Sequence, residues 1–489
     1  MKTLLCYAGF VLCAWLSSAA EPPAAPARPN ILLLLADDLG WTDVGCNNPG
    51  TFYETPNLDH LAARGVRFTA GYAANPVCSP TRYSIMTGKW PTRAGLTNWL
   101  PGIRVERFQG APLALQMGLN EVTIAEALRG AGYHTAFVGK WHLGGDEAFW
   151  PEHQGFETNI GGSNQGHPLG WFSPYNNPRL ADGPPGEFLT DRIANETIAQ
   201  LKKFKGTGEP FLLCHFFYQV HTPLNAPEEL VKKYEAKAAR LGLKEKFAEE
   251  PQYYVTVKGP RRVRQNQTLP VYAAMVESMD KAAGRILAAL DELGLADNTL
   301  VIFTSDNGGL STSEGAPTSN LPLRGGKGWV YEGGIREPFL VRWPGVTQPG
   351  VVRTEPVTSL DIFPTVLAAA GVPQPAGVPA DGRDLRDVLL GRPVPARDLY
   401  WHYPHYGNQG GFPGGAIRSG DWKLVEHYED GSLALYNLVA DIGEQHDLAA
   451  AEPARVADLR ARLHAWYRAT GAQFLRAKDG GPSPWAPLP

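Results

Sequence analysis

The run Asn30-Ile-Leu-Leu-Leu-Leu-Ala36 most limits what this chain can become. Six apolar residues in succession suit a strand covered on both faces, because a half-exposed strand alternates apolar with polar positions. Such a strand needs neighbours beside it and helices above and below, so the run predicts an α/β fold. Similar runs recur at His134–Gly139, Phe211–Tyr218 and Thr299–Thr304, with another strand at Phe339–Trp343. The first four end in polar side chains: Asp37-Asp38, Lys140-Trp-His142, His221 and Asp306-Asn307. Doubly wound sheets collect ligands outside the carboxyl ends of their strands, so four such endings predict one site. Strand alternation would put Lys140 and His142 on one face.

Between these runs lie helices. Thr55 and Pro56 open one that Gly65 stops, Thr123-Ile-Ala-Glu126 is a capping box, and Tyr272–Leu293 is long and amphipathic. Residues 155–187, rich in Gly, Asn and Pro, read as a long recognition loop, and 228–268 as a charged, helix-prone, solvated excursion. A Pro-rich stretch over 371–398 reads as a linker. Beyond it, antiparallel strands at 416–418, 422–427 and 433–438, the last two joined by Glu429-Asp430-Gly431, precede a helix from Pro453 to Thr470. The expected division is a leader (1–20), a catalytic α/β domain (28–390) and a small α+β domain (391–489).

Lys2, the apolar stretch Leu4–Leu16 and Ser18-Ala19-Ala20 have the form of a secretory signal, and the stretch is too short to span a bilayer. A secreted or periplasmic protein without a transmembrane anchor is expected. The formal net charge of −4 becomes more negative once Lys2 is lost, which argues against nucleic-acid binding and against a broad basic surface. An anionic substrate would have to be drawn by a few cations in a pocket. Cleavage leaves Cys46, Cys78 and Cys214, too few for a disulfide framework; whether Cys46 and Cys214 pair stays open.

Cys78-Ser-Pro-Thr-Arg82-Tyr-Ser-Ile-Met-Thr-Gly88 carries the chemistry. Pro80 suits a first helical turn with Ser79 as cap and Gly88 as stop, which puts Cys78 at a helix N-terminus where an anion is favoured. Arg82 lies one turn on, on the same face. The Cys-x-Pro-x-Arg run followed by Thr-Gly resembles the signature of the arylsulfatase-type sulfatases of the alkaline phosphatase superfamily, with Thr81 and Met86 as mild departures. The tyrosine-phosphatase loop is excluded, since it needs five residues between Cys and Arg and position 84 is Ser. The resemblance extends through Ala36–Gly40, Gly139–Gly144, His221-Thr-Pro, Ser305–Gly308 and Leu323–Gly328.

This resemblance implies a large mixed central sheet flanked by helices, alkaline phosphatase-like, with the smaller C-terminal domain attached. It implies hydrolysis of sulfate esters through formylglycine, made from Cys78 by a separate maturation enzyme. Asp37, Asp38, Asp306 and Asn307, with position 78, would hold one calcium ion, an all-oxygen set that suits a hard cation. Lys140 and Lys327 would bind sulfate, and Arg82 would hold the nucleophile and metal surroundings. His221, with Lys327, would protonate the leaving alcohol, and His142 would then take a proton from the hydrated aldehyde to expel sulfate. A phosphate or phosphonate esterase of the superfamily is the alternative, but such enzymes usually carry Thr or Ser as nucleophile. A sulfotransferase would need a nucleotide site that is not visible, and a non-catalytic relative would lack some of these groups. A small aryl sulfate is the alternative substrate to the expected one, a sulfated carbohydrate attacked at a chain end, in polysaccharide breakdown. Asn164, His167 and Trp171, with His405 and Asn408 in the stretch His402–Gly411, are the expected sugar contacts.

Overall fold

The computed structural model describes residues 28–253 and 255–487, so the expected signal segment lies outside the described residues. In chain order the strands are β1 (Asn30–Ala36), β2 (Val66–Tyr72), β3 (His134–Gly139), β4 (Thr158–Ile160), β5 (Phe211–Phe216), β6 (Phe247–Glu250), β7 (Arg261–Arg264), β8 (Thr299–Ser305), β9 (Arg336–Arg342), β10 (Val351–Arg353) and β11 (Val357–Thr358). A second group follows: β12 (Asp398–Tyr403), β13 (Gly414–Ser419), β14 (Trp422–His427) and β15 (Leu433–Asn437).

Among the described residues nine strands form the main sheet, in the order β10-β2-β9-β8-β1-β5-β3-β4, with β11 also on β2. It is a mixed sheet. β1, β3, β4, β5 and β8 run parallel, whereas β9 is antiparallel to both β8 and β2. β1 sits at the centre, Leu33 facing Cys214 on one side and Ile302 on the other. Its side chains divide by parity. Leu32, Leu34 and Ala36 enter one core, and Ile31, Leu33 and Leu35 enter the other. The helices Pro56–Ala63, Leu189–Thr207 and Pro270–Glu292 cover the first face; Cys78–Thr87, Ile124–Gly130 and Ile362–Ala370 cover the second. Double coverage explains the unbroken apolar run, each buried leucine contributing roughly 1.5–3 kcal/mol.

The small sheet is a meander, β12-β13-β14-β15, with the helix Pro453–Thr470 on one face through Ile417, Leu424, Leu459 and Leu463. Its other face packs Trp401, Ala416 and Val425 against Tyr72, Trp329 and Ile335 of the main unit. A buried ionic cluster joins the two: Lys423 Nζ lies 3.0 Å from Glu332 Oε1 and 2.9 Å from Glu444 Oε1. Burial, with Glu332 adding to it against the pull of Lys423, pushes the Glu444 carboxyl up to about 7.

Several local expectations change. A strand beyond those expected, β12, runs through Tyr403 into the stretch His402–Gly411. The Pro-rich stretch is no free linker, because Leu385, Val388 and Leu389 are buried in the main core. The charged excursion holds the helix its composition favours, Glu228–Arg240, but also the unexpected β6–β7 hairpin. Cys46 and Cys214 are unpaired, Cys46 packing against one core and Cys214 lying in the other, on opposite faces of the sheet. Among the described residues no helix is long and apolar enough to cross a membrane.

Candidate active site

The parallel strands β1, β3, β5 and β8 end on one edge of the sheet, and their polar endings meet there. The helix Cys78–Thr87 points its N-terminus at the same place. It starts two residues earlier than expected: Val77, in extended conformation, is the cap, and Cys78 is the first helical residue. Ser79 instead receives the Leu100 N–H at 3.2 Å. Gly88, at φ 68°, ends the helix as expected.

Three carboxylates and three cations interlock beneath position 78. Lys140 Nζ lies 2.8 and 2.7 Å from the two oxygens of Asp37. Lys327 Nζ donates to Asp38 Oδ2 at 2.8 Å. Arg82 Nε donates to Asp306 Oδ2 at 2.8 Å, and its Nη1 to the Lys140 carbonyl at 2.6 Å, so this guanidinium clamps carboxylate and backbone rather than reaching only toward Cys78. Burial drives the Asp37 carboxyl up despite Lys140, with Asp306 adding to it. Burial acts on Asp38 as well, but Lys327, His221 and Lys140 outweigh it and hold that carboxyl well below the usual range. The unequal pair is what adjacent buried carboxylates with different partners should show.

Lys140 and His142 do not share a strand face. β3 stops at Gly139, whose φ is 104° and where a β-carbon would stand 1.9 Å from the Phe216 carbonyl oxygen. The chain turns there, sending Lys140 under the site, while His142 adopts a left-handed backbone, φ 60°, and lines the cavity. Its Nε2 is 2.6 Å from the Leu100 carbonyl, which can only accept, so Nε2 carries the proton. Nδ1 is then a lone pair, buried and without a hydrogen-bond partner. Burial, with Lys140, keeps this ring neutral. At His221 the arrangement is reversed: Nδ1 is 2.5 Å from the Thr222 carbonyl, and Nε2 is 2.9 Å from Lys327 Nζ.

Above this floor lies a cavity of about 270 Å³ whose lining includes Cys78, His142, His221 and Lys327. Asn164, His167 and Asn408 also line it, and the His167 ring stacks on His221 with centroids 6.4 Å apart. Trp171 and His405 are corrections. Trp171 is buried in the main core with its indole N–H on the Pro223 carbonyl at 2.6 Å. His405 is buried with Nε2 2.8 Å from Thr97 Oγ1, and neither residue lines the cavity. Gln409, inside the expected stretch His402–Gly411, also lines it, and sequence reasoning missed Trp99 and Glu314. They sit in loops without periodicity, where no local signal marks them.

The residues present suit a bound cation. Asp37, Asp38, Cys78 and His221 offer ligand atoms all within 4.8 Å of one another. Asn307 Oδ1 is buried without a partner beside them, while its Nδ2 donates to Asp38 Oδ1 at 2.8 Å. Asp306 Oδ1 accepts the Asp38 N–H at 3.2 Å, so the four expected oxygen-bearing side chains adjoin.

The sequence model of the sulfatase family matches residues 29–372. The chain belongs to the sulfatase family. It is therefore a sulfuric ester hydrolase. A second family description, N-sulphoglucosamine sulphohydrolase, C-terminal, matches residues 326–470 of this sulfatase. A sulfatase of Formosa agariphila is 31% identical, covering 94% of this chain and 92% of its own. Human arylsulfatase A is 36% identical over 82% of this chain and 75% of its own. The crystal structure of Ps i-CgsB in complex with k-i-k-neocarrahexaose superposes with a TM-score of 0.73 at 26% identity, covering 94% of this chain and 95% of the other. Such neighbours make the mixed sheet of this sulfatase an alkaline phosphatase-like fold.

Proposed function

We propose that this sulfatase removes sulfate from the terminal ring of a sulfated carbohydrate, using formylglycine made from Cys78 and one calcium ion. The observation that carries the reading is the cavity itself. Position 78 lies at a helix N-terminus on its floor between Lys327, His142 and His221, and the room above suits one sugar ring with its ester. That Ps i-CgsB has been crystallised with a neocarrahexaose supports a carbohydrate for this relative as well. The signal-like form of residues 1–20 supports a secreted or periplasmic setting for such breakdown.

When present, formylglycine supplies a hydrated-aldehyde oxygen nucleophile, and calcium, held by Asp37, Asp38, Asp306 and Asn307, supplies positive charge that orients the ester. The chain's own groups do the rest. Lys140 and Lys327 lie against Asp37 and Asp38, Lys327 at the cavity floor and Lys140 beneath it, where their positive charge would offset that of bound sulfate. Lys327 and His221 share a hydrogen bond at Nε2, so a proton can be delivered from there to the departing sugar oxygen. His142 Nδ1, neutral and unpartnered, is the site that can accept a proton from the nucleophile's side. Arg82 fixes Asp306 and the Lys140 backbone.

Peptide mass spectrometry of active protein tests the central claim. Residue 78 should be lighter than cysteine, sulfur having been exchanged for oxygen, and turnover of sulfated sugars should rise with the modified fraction. Full activity with an intact thiol would overturn it.

A further inference from the structure

The cavity carries one anion that sulfate chemistry does not require. Glu314 lines the mouth from the loop after β8, and its backbone is left-handed at φ 52°, a conformation that costs a residue with a β-carbon about 1 kcal/mol or more. Two other segments hold its carboxylate. Thr222, next to His221, donates its hydroxyl to Oε2, and Asn408 of the small domain donates Nδ2 to Oε1 at 2.6 Å. Burial works against ionisation, but Lys327, the Thr222 hydroxyl and His221 keep the carboxyl below its ordinary range, so it stands as an anion. A carboxylate accepts about four hydrogen bonds and donates none, and two of these places are taken.

A fixed negative charge beside a sulfate-binding floor works against every anionic ligand. The loss is recovered only when the bound ring offers hydrogen-bond donors to the remaining acceptor sites, and it doubles as a barrier to a second anion on that ring. Resting on the sulfate-ester reading above, we infer that Glu314 is a specificity-determining residue. It selects esters whose sulfate-bearing ring carries neutral donors, hydroxyl or amide N–H, beside the ester, and disfavours rings carrying a second sulfate or a carboxylate.

Two aryl sulfates test this whatever the natural sugar is: a nitrophenyl sulfate with an ortho hydroxyl and its counterpart with an ortho carboxylate. Their leaving groups differ, so the quantity read is how the ratio of their kcat/KM values changes between wild type and Glu314→Gln, a comparison in which leaving-group ability cancels. Glu314→Gln should shrink the preference for the hydroxyl-bearing ester by about tenfold, mainly through KM of the carboxylate-bearing one. In wild type, raising the salt concentration should narrow the same preference, because a charge at the exposed mouth is screened; the variant should respond less. A ratio unchanged in Glu314→Gln, or a wild-type preference that salt does not narrow, would overturn the assignment while leaving the sulfatase reading intact. Failure of wild type, shown by mass spectrometry to carry the modified residue 78, to cleave either ester would overturn this inference, and failure on sulfated sugars as well would overturn the sulfate-ester reading with it.

Discussion

At His221, Nε2 faces Lys327 Nζ across 2.9 Å, whereas at His142 the corresponding nitrogen is committed to the Leu100 carbonyl and Nδ1 is left as a bare lone pair. Two identical side chains thus present different nitrogens to the cavity, each a lone pair, and only that of His221 has an ammonium against it as a proton source. Removing the donor should show in substrate dependence. His221→Ala is expected to lower kcat on a sugar sulfate by about 10²–10⁴, the usual worth of a positioned acid, and far less on an activated nitrophenyl sulfate whose leaving group needs no proton. Equal losses on both, measured side by side, would remove His221 from that role. His405 makes the contrasting case. Buried against Thr97, it is expected to act on stability alone: His405→Ala should cost about 1–3 kcal/mol in urea unfolding by stranding the Thr97 hydroxyl, without changing the preference between sugar and aryl esters. A changed preference would return this residue to the substrate site.

At the scale of elements, the turn after β3 decides where two cationic or basic groups go. Gly139→Ala would drive a β-carbon to 1.9 Å from the Phe216 carbonyl at φ 104°, so β3 and β5 must part or the turn must rebuild. Destabilisation of at least about 3 kcal/mol is expected, read as a lowered denaturant midpoint, and a midpoint at the wild-type value would contradict it. The seam between the two sheets has its own pH response. Glu444 has a folded pKa raised from 4.5 to about 7, so the folded protein binds more protons than the unfolded chain between those values. The stability linked to that group is present in full below about 4.5 and is lost as pH rises through about 7. Thermal unfolding of wild type should therefore show a falling contribution over that window, which Glu444→Gln flattens. Parallel profiles for the two proteins would mean that Glu444 ionises as it does in the unfolded chain.

For the whole molecule, the cation site ties β1 to β8, the centre of the sheet, so metal should stabilise the entire fold rather than one loop. Stripping it with a calcium-selective chelator should lower Tm, and calcium at about 100 times its Kd should restore about 2.7 kcal/mol. Zinc restoring both stability and turnover where calcium does not would point to a different ion.

The apolar character of Ile31–Leu35, with the capping box at Thr123 and the stripe of the helix Pro270–Glu292, determined the layered α/β architecture from sequence alone, because burial periodicity is a local property of the chain. The sequence also marked the groups that meet at the cavity floor: Cys78, Arg82 and the polar strand endings are contiguous motifs, and parallel strands must bring such endings to one edge. At the cavity mouth Asn164, His167 and Asn408 were named from the sequence, and the other side chains there were settled only in three dimensions. Glu314 meets Asn408 across 94 residues of separation, Trp171 turns into the core where the cavity was expected, and His142 faces the cavity through a left-handed turn that strand alternation does not anticipate. Loop side chains take their direction from what the rest of the fold packs against them, and no spacing in the sequence records that.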